Sequence, residues 1–295
     1  MSGTAGPQLS PRTPPPAPSR RGRAAGWAVL VALASAAGVA VIAYLALYTA
    51  RGQELDDRAM RIFSDNGDPT AARPLLELLS EVSIGSAGLA LAVFVCLALL
   101  RRGFTLAVAA VAVTVGANLT TQVLKHLVLT RPDLGHGTLN SLPSGHTTLV
   151  FSLVLAALLV APVVLRVPVT VLGAAVGTLT GAATVVAGWH RPSDVVTATL
   201  VTLAWGGAAI AVLDVLSPGT ARPPVRPFLH RAGAAFGLAA VLGTLVAGLM
   251  LVVWGVGPGS GPGEMVAAVL SLGSIALFSA LVVGGYGLLV GHTVG

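Results

Sequence analysis

Long runs of hydrophobic residues, separated by short polar segments, dominate the pattern of this chain. Eight runs fall at residues 26–50, 82–100, 103–127, 146–165, 168–189, 193–215, 232–256 and 265–290. Runs of about 20 apolar residues can cross the ~30 Å hydrocarbon core of a bilayer as helices. The pattern therefore predicts an all-α fold, a polytopic membrane helix bundle with eight transmembrane helices. The first run is longer than a signal-peptide core, so we predict an uncleaved anchor, with cleavage after Ala50 as the alternative.

Two longer polar stretches differ in character. Residues 1–25 are rich in Pro, Ser, Gly and Arg and show no apolar periodicity, which predicts a disordered basic tail. Residues 51–80 interleave charged residues with Met60, Ile62 and Phe63. This second stretch predicts a short helix on the membrane surface that ends near Asn66.

Composition supports the membrane class and narrows the functions. The chain is 55% hydrophobic and only 9% charged, whereas a soluble protein of this length carries far more charge. The net charge of +6 comes mostly from arginines in the tail and at helix ends. That distribution is typical of membrane orientation, and we expect no nucleic-acid binding. Cys96 is the only cysteine, which excludes a disulfide or a cysteine-based metal site within one chain.

The arginines at the helix ends predict the orientation of the bundle. Cytoplasmic loops of membrane proteins carry an excess of Lys and Arg. If the basic tail is cytoplasmic, the loops on its side contain arginines and no acidic residue: Arg101 and Arg102, then Arg166, then Arg222, Arg226 and Arg231. We therefore predict a multi-pass protein of the cell (plasma) membrane with both termini in the cytoplasm. Five charged or titratable residues from four helix ends then share the outer face: Lys125, Arg131, His146, His190 and Asp194.

The first polar segment follows the third hydrophobic run. Lys125, the only lysine of the chain, lies near the helix end, and Arg131 follows just before Pro132. A Lys point charge and a planar Arg fork beside one loop can clamp an anion. The alternative for Lys125 is a side chain that snorkels to the interface.

The second polar segment leads directly into the fourth run. Ser144 is a candidate N-cap, and the free N–H groups of the first helical turn form a natural anion site. Gly145 allows a ligand to approach the backbone closely. His146 lies in the same turn, where a bound anion would keep it protonated as a general acid. An interfacial histidine at a helix start is the alternative.

The third polar segment begins the sixth run. Pro192 suits the first helical position, which places His190 in the preceding turn. Asp194 can reach back four residues to the His190 imidazole, fixing its tautomer and leaving the other nitrogen free to attack. An isolated His-x3-Asp is otherwise a capping contact.

One further pattern concerns packing. Gly173, Gly177 and Gly181 place a small residue at every fourth position of the fifth run. Such a stripe predicts close approach of a neighbouring helix.

The order Lys-x5-Arg-Pro, Pro-Ser-Gly-His and His-x3-Asp resembles the type 2 phosphatidic acid phosphatase (PAP2) superfamily of membrane lipid phosphatases. The resemblance implies a six-helix catalytic core at 26–215, followed by a cytoplasmic linker at 216–231 and two additional transmembrane helices at 232–295. The linker and the two additional helices themselves lie outside the resemblance. Within the core, the resemblance implies a histidine nucleophile oriented by an aspartate, a second histidine as general acid, and a phosphate site of Lys, Arg and a Ser-Gly backbone. By position, those roles fall on His190, Asp194, His146, Lys125, Arg131, Ser144 and Gly145.

Two departures from the family pattern affect the phosphate site. The first motif usually has six residues between Lys and Arg and here has five, so Lys125 must reach the site by local distortion or by side-chain length. The third motif usually has an arginine six residues before the nucleophile, where this chain has Thr184. We predict that Arg191, directly after His190, replaces it as a phosphate-binding cation. A weakened or inactive family member is the alternative.

The residues and the resemblance together predict a phosphatase that hydrolyses lipid phosphate or diphosphate esters at the outer face through a phosphohistidine intermediate. Polyprenyl diphosphate, phosphatidic acid and phosphatidylglycerol phosphate are the candidate substrates, with a soluble phosphate ester as the alternative. We expect no metal or other cofactor, because Asp133 and Asp194 are the only acids expected near the motifs. The expected partners are the substrate and membrane lipids, and the sequence leaves the oligomeric state open.

Two other functions fit the same sequence. A phosphotransferase would use the same residues with an acceptor other than water. A non-catalytic transporter or lipid-binding scaffold would usually have ionisable residues at mid-membrane. Here Asp214 lies near a cytoplasmic helix end, where we expect a solvated or capping role.

Overall fold

The part of the chain that the computed structural model describes, residues 23–66, 77, 80, 84–101, 103–216 and 262–293, contains helices and no strand. Its eight helices are α1 Arg23–Tyr48, α2 Ala50–Asn66, α3 Ile84–Arg101, α4 Phe104–Val123, α5 Gly145–Val160, α6 Val163–Val186, α7 Pro192–Leu216 and α8 Pro262–Thr293. α4 continues into a π-helical turn, Leu124–Val128. The predicted all-α fold is confirmed.

Five of the helices are long and apolar enough to cross a membrane: Ala25–Tyr48, Phe104–Val128, Val163–Val186, Pro192–Leu216 and Val266–Gly291. α3 and α5 are apolar but shorter. The seventh predicted run, 232–256, lies outside the described residues, as do the tail before Arg23 and most of the predicted linker. The described helices agree with a polytopic helical bundle.

α1 packs antiparallel against α7, and the contact runs along most of both helices. A Cβ at Gly207 would lie 2.7 Å from the carbonyl oxygen of Ala28, so glycine permits this close approach. At one end of the pair, the Asp214 carboxylate accepts a hydrogen bond of 3.1 Å from the Ala25 N–H in the first turn of α1. A carboxylate at a helix N-terminus satisfies an otherwise unpaired donor. The capping role expected for Asp214 is therefore present.

The glycine stripe of α6 lies against its neighbours, as predicted. A Cβ at Gly173 would lie 2.4 Å from Val154, and one at Gly177 would lie 2.5 Å from the Phe151 ring, both on α5. At Gly181 the nearest atom belongs to Val195 of α7, at 2.7 Å. Small residues thus bring three helices together without a gap.

The break between α5 and α6, which correspond to the fourth and fifth hydrophobic runs, lies earlier than predicted. α5 ends at Val160 and α6 begins at Val163, whereas the hydrophobic runs suggested 165 and 168. Ala161 is extended because it precedes Pro162, and a residue before proline is driven out of the helical region. The first proline therefore ends α5, and α6 continues through Pro168. Arg166, predicted in the connecting loop, lies buried in the first turn of α6, and its Nε donates to Ala161 O at 3.3 Å.

α2 ends at Asn66, as the turn residues predicted, but it covers one end of the bundle rather than only the membrane surface. Its buried side chains, Gln53, Asp57, Ile62 and Phe63, pack towards α6, α7 and α8. α8 begins at the same end, because Glu264 lines a polar cavity of about 390 Å³ together with Asp57. The ends of α4 and α6 and the starts of α5 and α7 meet beneath α2.

We expect Gly177→Val to destabilise the bundle, because a branched side chain would overlap the Phe151 ring and force α5 away from α6. Overpacking of this kind costs about 1–3 kcal/mol. The thermal unfolding midpoint in detergent would measure it. Gly88→Val is the matched control, since no atom lies within 4 Å of a Cβ at Gly88. Equal midpoints for the two variants would contradict the close contact.

Candidate active site

The turn between α6 and α7 holds His190 by its backbone. Gly188 has φ +69°, a left-handed conformation that glycine adopts without strain and that ends α6. The N–H groups of Trp189 and His190 then both donate to the carbonyl oxygen of Thr184, at 3.0 and 3.1 Å. Thr184 is fully buried, and its hydroxyl donates to Gly181 O within α6. Thr184, which stands where the family pattern usually has an arginine, thus fixes the turn through its backbone carbonyl oxygen.

His190 and Asp194 form the predicted pair. α7 begins at Pro192, and His190 Nδ1 lies 3.1 Å from Asp194 Oδ2, with both side chains buried. A carboxylate only accepts hydrogen bonds, so Nδ1 carries the proton and Nε2 keeps its lone pair. The same Oδ2 accepts the Arg191 N–H at 2.9 Å. Nε2 of His190 is therefore free to act as a nucleophile.

The start of α5 lies against this pair. Ser144 is the N-cap, as predicted, and its hydroxyl oxygen accepts from the Thr147 N–H at 3.4 Å. The Ser144 N–H itself donates to the carbonyl oxygen of Asp194 at 3.0 Å. It is therefore occupied, whereas the N–H groups of Gly145 and His146 donate to no acceptor in the described part of the chain. These two donors are therefore available to an anion at this helix start.

His146 lies between the other polar segments. Its ring is 5.7 Å from that of Trp189, measured between centroids. His190 and Lys125 are both near enough to interact electrostatically with it. Three groups that can carry positive charge therefore lie near one another, and a bound anion would relieve their mutual repulsion.

The first polar segment begins in a distorted turn at the end of α4. Lys125 lies within the π-helical turn Leu124–Val128, which is a local change of helical pitch at the position where the motif spacing is one residue short. Asn140 holds this turn in place, because its Nδ2 donates to Lys125 O at 3.1 Å and to Leu129 O at 3.0 Å. A local distortion is therefore present at the position where the motif spacing departs from the family pattern.

Arg131 is a buried cation with unused hydrogen-bonding capacity. Its Nε donates to Gly137 O at 3.2 Å, and its Nη2 is buried without a partner among the described residues. Burial and the nearby charge of Arg191 lower the pKa of Arg131, although an arginine still remains charged at neutral pH. A buried guanidinium with an unpaired N–H favours an anionic ligand.

Residues 105–216 match the family model of the PAP2 superfamily. This segment, somewhat more than a third of the chain, is therefore similar to the PAP2 superfamily. The match includes all three motif segments, from Lys125 to Asp194, and begins after α1, α2 and α3. No curated protein and no solved structure matched the chain.

The PAP2 motifs do not include two acids that α2 brings to the site. Asp57 is buried and accepts from Arg191 Nε and Nη2, at 3.2 and 3.0 Å. Asp56 accepts from the Ser193 N–H at 3.0 Å and from the Ser193 hydroxyl. The expectation that Asp133 and Asp194 are the only acids near the motifs is therefore wrong.

The missed acids left no local signal in the sequence, because only the packing of α2 shows which of its faces is buried. Gln53 and Asp57 are four residues apart and so share one face of a helix, and that face is the buried one. A surface helix would turn its polar residues to water. Asp133, in contrast, accepts from the N–H groups of Gly135 and Gly137 within its own exposed loop. Among the described residues, no group of three His, Cys, Asp or Glu side chains is placed to hold a metal ion.

Arg191 is more constrained than the motif comparison suggested. Besides its two bonds to Asp57, its Nη1 donates to Ser141 Oγ at 3.0 Å and to Leu139 O at 3.5 Å. Four of its five N–H groups are thus engaged, and one on Nη2 remains for a ligand. Its role as a phosphate-binding cation stays a prediction.

We expect Gly145→Ala to fold normally but to bind a phosphate analogue roughly tenfold more weakly. A Cβ at Gly145 would meet only Gln122 Nε2, at an ordinary contact distance of 3.7 Å, yet it would occupy the approach to the first-turn N–H groups. Orthovanadate binding, followed by its effect on the thermal midpoint, would measure this. Gly273→Ala in α8 is the control, since no atom lies within 4 Å of its added methyl. Unchanged vanadate binding would exclude these N–H groups as the anion site.

The pH dependence of stability tests the α2 contact. Burial and the neighbouring Asp194 charge raise the pKa of Asp56 from 3.8 to about 7. The native state therefore keeps a proton that the unfolded chain loses between about pH 4 and 7, and stability falls as pH rises through this window.

Asp56→Asn stays neutral and keeps an acceptor for Ser193. We expect its thermal midpoint, relative to wild type, to be higher at pH 8 than at pH 5. Glu54→Gln, an exposed carboxylate on the same helix, should show no such trend. A pH-independent difference between Asp56→Asn and wild type would refute the raised pKa.

Proposed function

We propose that this protein is a membrane phosphatase that hydrolyses lipid phosphate or diphosphate esters through a phosphohistidine intermediate. The observation that carries the proposal is the buried His190–Asp194 pair beside an incompletely paired anion site. A nucleophile with an orienting carboxylate and nearby cations is the arrangement that phosphoryl transfer to a side chain requires. The match of residues 105–216 to the PAP2 superfamily supports a phosphatase-like reaction.

In the first step, His190 Nε2 attacks the phosphorus, and the P–O bond to the leaving alcohol or phosphate breaks. His146 donates a proton to the departing oxygen. Negative charge on the phosphoryl oxygens is stabilised by Lys125, Arg131 and the first-turn N–H groups of α5. Asp194 stabilises the positive charge that develops on the imidazole.

In the second step, His146 accepts a proton from water, which attacks the phosphorus. The P–N bond breaks, phosphate leaves, and His190 returns to its starting form. Gly145 lets the phosphoryl group approach the backbone in both steps. None of these steps needs a group beyond those of the chain and water.

The proposed substrate follows from the place of the site. The polar residues lie at one end of apolar helices, and the arginine distribution favours an orientation with this end at the outer face of the plasma membrane and both termini in the cytoplasm. A lipid whose phosphate lies at the interface can enter sideways from the bilayer. Phosphatidic acid, phosphatidylglycerol phosphate and polyprenyl diphosphate present such a group.

We expect the purified protein to release phosphate from at least one member of a panel of these three lipids and p-nitrophenyl phosphate. His190→Ala should lower the rate by roughly a thousandfold or more, because the nucleophile is lost. Rapid quenching with labelled substrate should trap a label that is acid-labile and alkali-stable on wild type only. His126→Ala, an exposed histidine of the π turn, is the control.

Each contrary result identifies a different alternative. No release from any substrate would favour a non-catalytic transporter or scaffold. Equal release by His190→Ala would remove His190 as the nucleophile. Release that depends on an added alcohol, with the phosphoryl group found on it, would indicate a phosphotransferase.

A further inference from the structure

We propose that Asp57 of α2 is a positioning residue of the phosphate site and acts through Arg191. The inference rests on the proposed function and adds a residue from outside the PAP2 segment. Asp57 and Arg191 are 134 positions apart in sequence, and both side chains are buried.

The contact is specific in its atoms. Nε and Nη2 of Arg191 both donate to Asp57 Oδ1, so the planar edge of the guanidinium is fixed. Asp57 Oδ2 accepts from Arg61 Nε at 2.8 Å. Burial disfavours the charged carboxylate, but the hydrogen bonds and charge of Arg191 outweigh it and lower the pKa of Asp57 below its ordinary value. Asp57 is therefore an anion near neutral pH.

Arg191 transmits this contact to the nucleophile. It directly follows His190, and its N–H donates to Asp194 Oδ2, the same oxygen that meets His190 Nδ1. Its Nη1 holds Ser141, just before the start of α5. A displacement of Arg191 would therefore disturb both the orienting carboxylate and the neighbouring anion site.

Electrostatics explain why Arg191 needs an anchor. Its charge lies close enough to Arg131 to disfavour that residue's own charge. Two like charges in a buried site separate unless anions hold them. The Asp57 carboxylate is one such anion, and the phosphate of a bound substrate would be another. Thr184 stands where the third motif usually has an arginine, so Arg191 is the cation next to His190, and it is held by a helix outside the motifs.

A kinetic double-mutant cycle tests the proposal. Asp57→Asn should lower kcat roughly 10- to 100-fold with little change in KM, because misplacement of charged groups acts on the transition state. Arg191→Gln should have a similar effect. The double variant should be no slower than Arg191→Gln alone, since residues that act through one another are not additive. Glu54→Gln, an exposed carboxylate one turn away on α2, should match wild type.

Two results would overturn the proposal. An unchanged kcat in Asp57→Asn would show that the contact does not matter for the reaction. Rate losses that multiply in the double variant would show that Asp57 does not act through Arg191. If Asp57→Asn does not fold, Asp57→Glu keeps the charge and displaces it by one methylene. Its loss of kcat should likewise vanish in the Arg191→Gln background, and a persisting loss would overturn the proposal.

Orthovanadate binding separates this inference from the proposed function. If wild type hydrolyses none of the substrates, the proposed reaction fails, but the same cycle can be measured as vanadate affinity. We then expect roughly tenfold weaker binding in Asp57→Asn and no further loss in the double variant. Equal vanadate affinity in wild type and Asp57→Asn, or no vanadate binding by wild type, would overturn the positioning role.

Discussion

The contact between Asp194 and His190 fixes the polar end of this bundle, because the same aspartate binds two further groups. Its Oδ2 meets both His190 Nδ1 and the Arg191 N–H, and its carbonyl oxygen accepts the Ser144 N–H. A buried carboxylate is tolerated only when such partners compensate for lost hydration. The start of α5 and the turn before α7 are thereby held in one relative position. The other contacts at this end of the bundle depend on that position.

α2 adds contacts to the polar end of the bundle that residues 105–216 alone do not contain. Gln53 Nε2 donates to Pro132 O at 2.8 Å, Asp57 binds Arg191, and Asp56 binds Ser193. One short helix thus contacts the first and third motif segments at once. The hydrogen-bonded polar end of the bundle therefore extends beyond residues 105–216 and includes the inward face of α2.

Local signals in the sequence predicted much of the fold and the centre of the site. Proline at the first turn of α7, serine at the N-cap of α5 and the four-residue spacing of His190 and Asp194 each have a meaning within one or two helical turns. The contact between Asp57 and Arg191 has no such local mark. Charge along α2 indicated a solvated helix, and only the packing of α2 onto α6, α7 and α8 shows which carboxylates face inward. The earlier end of α5 was missed because hydrophobicity continues across Pro162 while backbone conformation does not.

The hydrogen bonds of Asn140 set limits on how the chain can vary in length. Its side chain binds Lys125 O and Leu129 O at one end of the loop that contains Arg131, and its Oδ1 accepts the Leu142 N–H at the other. Surface loops generally tolerate insertions and deletions. In this loop, a length change between Lys125 and Arg131 would break the register between the π turn and α5. Variation in length is compatible with the site only at the exposed tip around Gly135, so homologous chains with this asparagine should share the spacing from Lys125 to Arg131.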